Sequence, residues 1–441
     1  MALQASPLTA PLRLSAQPAT KQRYWVIVFA VTLAILAYID RVAISYAAPL
    51  ISSDLGLSRS EMGAIFSAFA LAYALFEIPG GWLGDRMGPR RVLLRITVWW
   101  SVFTAVTGGM WSFGSMFVAR FLFGAGEAGC FPNLTKAFTT WLPRQERVRA
   151  QGITWMFARW GGAFTPPLVL LVLSFTTWRW AFVLFGALGA LWVTAFALWF
   201  RDRPRDNPRV NAAELQLIGD AQDGRHGDVP WGKLIRSRSV WLLWAQYFLL
   251  SYPWYFYITW LPTYLQSPTG RGLSAGDAAQ YAVYPLLFGG FGSLTCGLIS
   301  SRFDRWTGSI KISRRLISCA GFAGASAFLL LSMRIQDPLW AMVAMGMASF
   351  SNDLVMPCAW GSCMDVGGKF AGTLSGSMNM MGNLAGFVAP LVGGFILQST
   401  GDNWNVLLYL MAAVYCGGMI CWPFIDSSTS LDCDDARPAA M

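Results

Sequence analysis

Four charged residues stand where charge is costly. Asp40 and Arg41 are neighbours in AYIDRVAIS, in the middle of an apolar run from Tyr24 to Leu50 that is long enough to cross a bilayer. Arg120 and Glu127 lie seven apart in a second apolar run. On insertion scales an ionised side chain at mid-bilayer costs about 2.5 to 3.5 kcal/mol, so all four are expected to face the bundle interior or a water-filled path and to pair with one another. Two helical turns separate Arg120 from Glu127, which lets them point into one cavity. Adjacent helix positions point about 100° apart, so one of Asp40 and Arg41 is expected to face the central cavity and the other the fourth helix.

The chemistry open to such a group is the joint handling of anions and protons. Burial disfavours an ionised carboxyl and a nearby guanidinium favours it. An anion that occupies the arginine withdraws that support, so the carboxylate takes up a proton, and linkage makes the proton favour the anion by the same factor. Asp40 and Glu127 therefore read as the proton-exchanging acids, and Arg41 or Arg120 as the seat of an anion's carboxylate.

Positioning these groups requires helices. Of 441 residues, 55% are hydrophobic and 13% charged, and the apolar residues fall in blocks of about 20 instead of amphipathic stripes, the composition of a membrane protein. The alternating pattern of a barrel strand is absent, and lipid leaves helices as the other solution. Twelve spans are predicted, beginning near Tyr24, Glu61, Val92, Ser115, Gln151, Trp178, Val240, Asp277, Ile312, Pro338, Phe370 and Trp404. The fold class is thus an all-α membrane protein of two six-helix bundles with both termini cytoplasmic. Its expected parts are an N-terminal tail over 1–22, bundles over 23–200 and 239–425, a linker over 201–238 rich in Arg, Pro, Asp and Asn, and a C-terminal tail over 426–441. The first 22 residues have no apolar core ending in a cleavage site, so no cleavable signal peptide is expected. NAAELQLIGDAQ in the linker could form a short surface helix with its Leu and Ile toward the membrane, and the C-terminal tail reads as disordered.

The formal charge of +10 does not indicate nucleic acid. With the N-terminus cytoplasmic, about 25 of the 33 Lys and Arg fall in cytoplasmic segments and about four outside, at Arg59, Arg179, Arg271 and Arg334. Eight cysteines are scattered through the apolar blocks without metal spacing and read as reduced packing residues. The one histidine, His226, lies in the polar linker and reads as solvated. Neither catalysis nor metal ligation is suggested, and no cofactor is called for. The partners implied are a small anion, protons and lipid.

The stretch GGWLGDRMGPRRVLLR between the second and third spans has a weak echo in CGLISSRFDRWTGSIKISRR between the eighth and ninth, with Ser301 where the acid would stand. Internal repeats of this kind build secondary transporters whose binding site lies near the midplane between halves. In the first copy Gly81 and Gly84 permit close helix approach, and Asp85 can salt-bridge or cap a neighbouring helix end. Arg86, Arg90 and Arg91 can anchor at an anionic leaflet, so the expected role is gating.

GWLGDRMGPRR carries the G-x-x-x-D-R-x-G-x-R-R pattern and resembles the loop that marks the major facilitator superfamily. YIDR, YALFEIPGGW, ARFLFGAGEAGCFPN, WLPTYL and GSMNMMGNLAG narrow the resemblance to its anion:cation symporter family, bacterial organic-anion permeases related to vesicular and lysosomal anion carriers, over about residues 22 to 425. The resemblance implies a monomeric carrier of the bacterial inner membrane that takes up an organic anion with protons, commonly a sugar acid such as a hexonate, hexarate or hexuronate. It implies coupling acids at Asp40 and Glu127, anion-facing arginines at Arg41 and Arg120, pocket tyrosines at Tyr38 and Tyr73, and an asparagine at Asn383, with Asn379 one turn away. Two residues depart from that pattern: Glu77, where Gln is expected, and Arg159 in the fifth span, which is either a substrate contact or half of a structural ion pair. The alternative for Glu77 is a brace for the gate, Asp353 lies in the tenth span, and Asp365 is expected in a loop. SYPWYFYITW offers Tyr252, Tyr255 and Trp260 as pocket residues.

Other readings are a sodium-coupled or facilitative carrier of an inorganic anion such as phosphate, a proton-coupled drug exporter, and a receptor. The fifth span disfavours the exporter, because GGAFTPP places its prolines after the glycines and the central charges suit an anion. The gate loop and two-bundle symmetry disfavour the receptor.

Overall fold

The computed structural model describes residues 18–219, 229–428 and 430–431, so His226 and most of both tails lie outside the described residues. Those residues form α-helices with no strand among them. In chain order they are α1 (Trp25–Leu55), α2 (Arg59–Met87), α3 (Pro89–Thr107), α4 (Phe113–Glu127), α5 (Cys130–Trp141), α6 (Arg144–Phe175), α7 (Trp178–Trp199), α8 (Ala212–Ile218), α9 (Trp231–Arg236), α10 (Arg238–Thr259), α11 (Leu261–Gln266), α12 (Ala275–Tyr281), α13 (Val283–Thr307), α14 (Ile310–Arg334), α15 (Pro338–Gly367), α16 (Ala371–Thr400) and α17 (Trp404–Cys421).

Eight stretches among the described residues are long and apolar enough to cross a membrane, the longest being Pro338–Thr400, which holds both α15 and α16. The other long elements fall short for visible reasons. α3 starts with Arg90, Arg91 and Arg95, and α10 is diluted by Trp, Tyr and Gln. The fourth predicted span is broken at Ala128–Gly129 into α4 and α5. That break lets backbone meet backbone: a Cβ added to Gly80 would lie 2.6 Å from the Gly129 Cα. The side chain of Asn133 closes it, donating at 2.9 Å to the Gly80 carbonyl and at 2.7 Å to that of Gly129.

Two seams join the N-terminal helices α1–α7 to the C-terminal helices α10–α17: α2 on α16, and α6 on α13. Both are lined by glycine where the helices cross. A Cβ on Gly81 would sit 2.2 Å from the Gly372 carbonyl oxygen, and one on Gly152 would sit 2.5 Å from that of Ser293. Only the missing side chain permits such approach.

The linker is tied down at its start. Glu214 of α8 is fully buried and accepts from the Thr20 hydroxyl at 2.5 Å, the Gln22 amide at 3.1 Å and the Arg23 amide at 2.9 Å. Arg23 also pairs with Glu214 at 3.3 Å and with Glu146 of α6 at 3.0 Å. The Glu146 carboxylate beside Arg23 holds the guanidinium pKa above its ordinary value. α8 is shorter than the sequence suggests, with Ile218 buried and Leu217 exposed, so its apolar residues do not share one face. Replacing a buried multiply bonded carboxylate with Ala strands its donors, so E214A should destabilise the protein by about 1.5 to 3 kcal/mol, read as a lower melting temperature in detergent. At the far end Lys311 lies 2.6 Å from Asp426 and, with Ser428, holds that carboxyl at about 2. A carboxyl depressed in the folded state supports folding above its unfolded pKa and loses that support only as pH falls toward 2.

Candidate functional site

A cavity between the two sets of helices is lined by Tyr38 and Arg41 of α1, Tyr73 of α2, Arg159 of α6, Trp254 and Tyr255 of α10, and Asn379 and Asn383 of α16, among others. Its empty volume is about 560 Å³, counting the solvent at its mouth. Arg41 projects into it, donating from Nη2 to Glu127 Oε1 at 2.7 Å while its guanidinium carbon lies 4.7 Å from the Tyr73 ring centre. The Arg41 side chain is about a quarter exposed and Glu127 is wholly buried, so the ion pair has one member at the wall and one behind it.

Positions 40 and 41 diverge, but not as expected: Arg41 both lines the cavity and meets Glu127 of the fourth span, while Asp40 faces α3. Asp40 turns away from the cavity and lies beside Trp100 and Thr104 of α3, without a hydrogen-bond donor on either carboxyl oxygen among the described residues. Arg120 is buried next to it, its guanidinium carbon 4.2 Å from the Phe123 ring centre and 5.5 Å from that of Phe69. Arg120 and Glu127 do not line the cavity; they stand behind Arg41 as a buried charge cluster with Asp40. A signal for this compartment was present in α3, where Thr97, Ser101 and Thr104 form one polar stripe inside an apolar span and are all buried.

Across the cavity, two polar bridges connect the N-terminal helices to the C-terminal ones. Arg159 forms a two-point ion pair with Asp353 of α15, at 2.8 Å from Nε and 3.1 Å from Nη2, while Trp254 stacks on its guanidinium at 4.1 Å. Glu77 is fully buried and accepts from both asparagines of α16: from Asn379, and from Asn383 at 2.9 Å. Tyr255 donates to the Asn383 amide oxygen at 3.1 Å, which orients that amide. Trp260 does not line the cavity; it sits at the break between α10 and α11 and packs on Trp404, with ring centres 6.1 Å apart. Tyr252 also lies away from the cavity, packed with Ala385 and Ala389.

One end of the bundle is bolted shut. Asp85 reaches across the α2–α16 seam, where its two carboxylate oxygens accept from the Gly372 amide at 3.0 Å and the Thr373 amide at 2.6 Å. A carboxylate on the free N–H groups of a helix start is stabilised by hydrogen bonds and dipole together. Lys136 of α5 lies 3.3 Å from the same carboxylate and donates to the Lys369 carbonyl. A second cluster stands nearby, in which Asp365 meets Arg144 at 3.0 Å and Arg147 at 3.0 Å from α6, and Arg314 at 2.7 Å from α14. Asp365 is thus buried in the last turns of α15 and not in a loop; the helix runs on because its end at Gly367 and Gly368 lies after the arginine cluster. Arg90 caps the end of α7, donating to the Phe200 and Ala197 carbonyls at 2.8 Å each, and Arg86 lies over Trp82 at 5.3 Å. The acid and arginines at the second closure were individually visible in sequence, but their meeting depends on residues 218 positions apart.

Comparison with known families settles the class. The model described as Major Facilitator Superfamily matches residues 30–390. The chain belongs to the major facilitator superfamily. It is a multi-pass membrane transporter, not an enzyme. Among curated members of the superfamily, it is 36% identical to the probable sulfoacetate transporter of Cupriavidus necator, over 95% of this chain and 97% of the relative. It is 30% identical to the probable galactarate/D-glucarate transporter of Escherichia coli, over 90% and 92%, and 28% identical to the hexuronate transporter of Bacillus subtilis, over 87% and 90%. The solved proton:xylose symporter superposes with a TM-score of 0.74 at 12% identity, covering 92% of this chain and 97% of that one. The Escherichia coli fucose:proton symporter superposes with 0.68 at 16%, covering 92% and 100%. These two establish the superfamily fold.

Proposed function

We propose that this protein is a proton-coupled symporter that imports a small organic anion by alternating access. The observation that carries the reading is the Arg41–Glu127 pair, in which a cavity-wall guanidinium is shared with a fully buried acid. An anion arriving at Arg41 competes with Glu127 for the guanidinium, and a proton on Glu127 releases Arg41 to the anion, so each ligand favours the other. Asp40 and Arg120 form the inner part of the same relay. Tyr38, Tyr73, Tyr255, Asn383 and Arg159 complete the substrate wall.

The architecture we assign is twelve spans in two bundles, 23–200 and 239–425, joined by the 201–238 linker, with both termini cytoplasmic in a bacterial inner membrane and the carrier acting as a monomer. The interrupted α4–α5 and α10–α11 pairs count as one span each, and basic loops gather at the Asp85 end. That end is then the cytoplasmic gate, closed here, and the cavity is offered to the outside. Gly81 and Asp85 hold the closure, Arg86 stays at the membrane surface, and Arg90 fixes α3 to α7.

The substrate class suggested by the resemblance is a sugar acid, and the relatives named for glucarate, hexuronate and sulfoacetate all fit an organic anion. Thermal stabilisation of the purified protein across sugar acids, dicarboxylates, sulfonates and inorganic phosphate tests this. An organic anion should raise the melting temperature, since a ligand at 100 times its Kd adds about 2.7 kcal/mol to the folded state. Stabilisation by phosphate alone would replace this reading with an inorganic-anion carrier.

A further inference from the structure

We infer that the cavity selects a dianion, with one anionic end on Arg41 and the other on Arg159. The inference deepens the organic-anion reading above and rests on it.

Both arginines line the same cavity, from α1 and from α6, together with Tyr38 and Tyr255. Each is held by a buried carboxylate on the side away from the ligand space, Glu127 for Arg41 and Asp353 for Arg159. Each also keeps donor capacity: Arg41 commits Nη2 to Glu127 but not Nη1, and Arg159 commits Nε and Nη2 to Asp353 but not Nη1. Trp254 covers one face of the Arg159 guanidinium, which fixes its plane and leaves the edge for a planar or pyramidal anion.

A structural ion pair alone does not call for this arrangement. An arginine needed only to tie α6 to α15 would be as well placed behind the wall, as Arg147 and Arg314 are at Asp365. The class is therefore an organic acid with a carboxylate at one end and a second carboxylate or a sulfonate at the other.

The test uses matched probes on the purified full-length protein: succinate against its half-amide succinamate, and sulfoacetate against acetate. Binding is read by calorimetry or competition. The wild type should prefer each dianion by at least about tenfold, the loss expected when a charge-assisted pair goes unmade. In R159Q/D353N, which removes both partners so that no buried acid is stranded, the preference should collapse toward one while the melting profile reports an intact fold. Retained preference in the double variant overturns the assignment of Arg159. Equal affinity of the wild type for diacid and half-amide overturns the dianion claim but leaves the organic-anion reading standing. Failure to bind any organic acid overturns both. Whether sulfoacetate or succinate binds more tightly identifies the second headgroup.

Discussion

Glu127→Gln should abolish accumulation driven by a pH gradient while substrate counterflow persists. Glu127 is the buried partner of Arg41, and glutamine keeps its size while removing its charge and its capacity to carry a proton. In proteoliposomes with a one-unit pH gradient and no membrane potential, each coupled proton supports about tenfold accumulation, because a unit of pH is worth about 1.36 kcal/mol. The variant's ratio should fall to about one. Counterflow needs only exchange of loaded carriers, so it should continue. Unchanged accumulation would remove Glu127 from the coupling step and leave Asp40 as the acid to test.

Gly81→Val should open the closed end. The added Cβ would stand 2.2 Å from the Gly372 carbonyl oxygen, and both sides of that contact are backbone, so neither can rotate away. Overpacking costs about 1 to 3 kcal/mol, and the whole cost falls on the conformation in which α2 and α16 touch. A penalty of that size shifts a two-state population by about five- to 150-fold. Hydrogen exchange at Gly372 and Thr373, whose amides are bonded to Asp85, should quicken by at least about fivefold, and the transport rate should fall. Unaltered protection with unaltered transport would show that the glycine seam does not control the gate.

The contact between α2 and α16 at Asp85 was legible in sequence because its parts on α2 are local. Gly81, Gly84 and Asp85 sit within five residues, and spacing alone implies close approach and a carboxylate ready to cap a helix. The depth of the central charges was also legible, since only interior faces tolerate them. Their phase was not. α1 is apolar nearly all round, so nothing in its pattern decides whether Asp40 or Arg41 meets the cavity; packing of α6 and α7 against it does. The same holds for Arg120, which is one turn from Phe123 and covered by it. Bridges between the two sets of helices were beyond reach: Arg159 finds Asp353 194 positions away, and Glu77 finds Asn383 306 positions away. Trp260 was misplaced as a pocket residue because an aromatic run has no periodicity to say where its helix breaks.

Glu77, Gly81 and Asp85 follow one another at intervals of four along α2, and all three meet α16. A single strip thus runs from the asparagines of the cavity wall at one end to the Asp85 contact with the start of α16 at the other. Anyone redesigning this carrier for a new cargo would find that edits on that strip alter turnover together with selectivity. Edits at Trp254 of α10, which lines the cavity without bonding to that strip, offer the more independent handle.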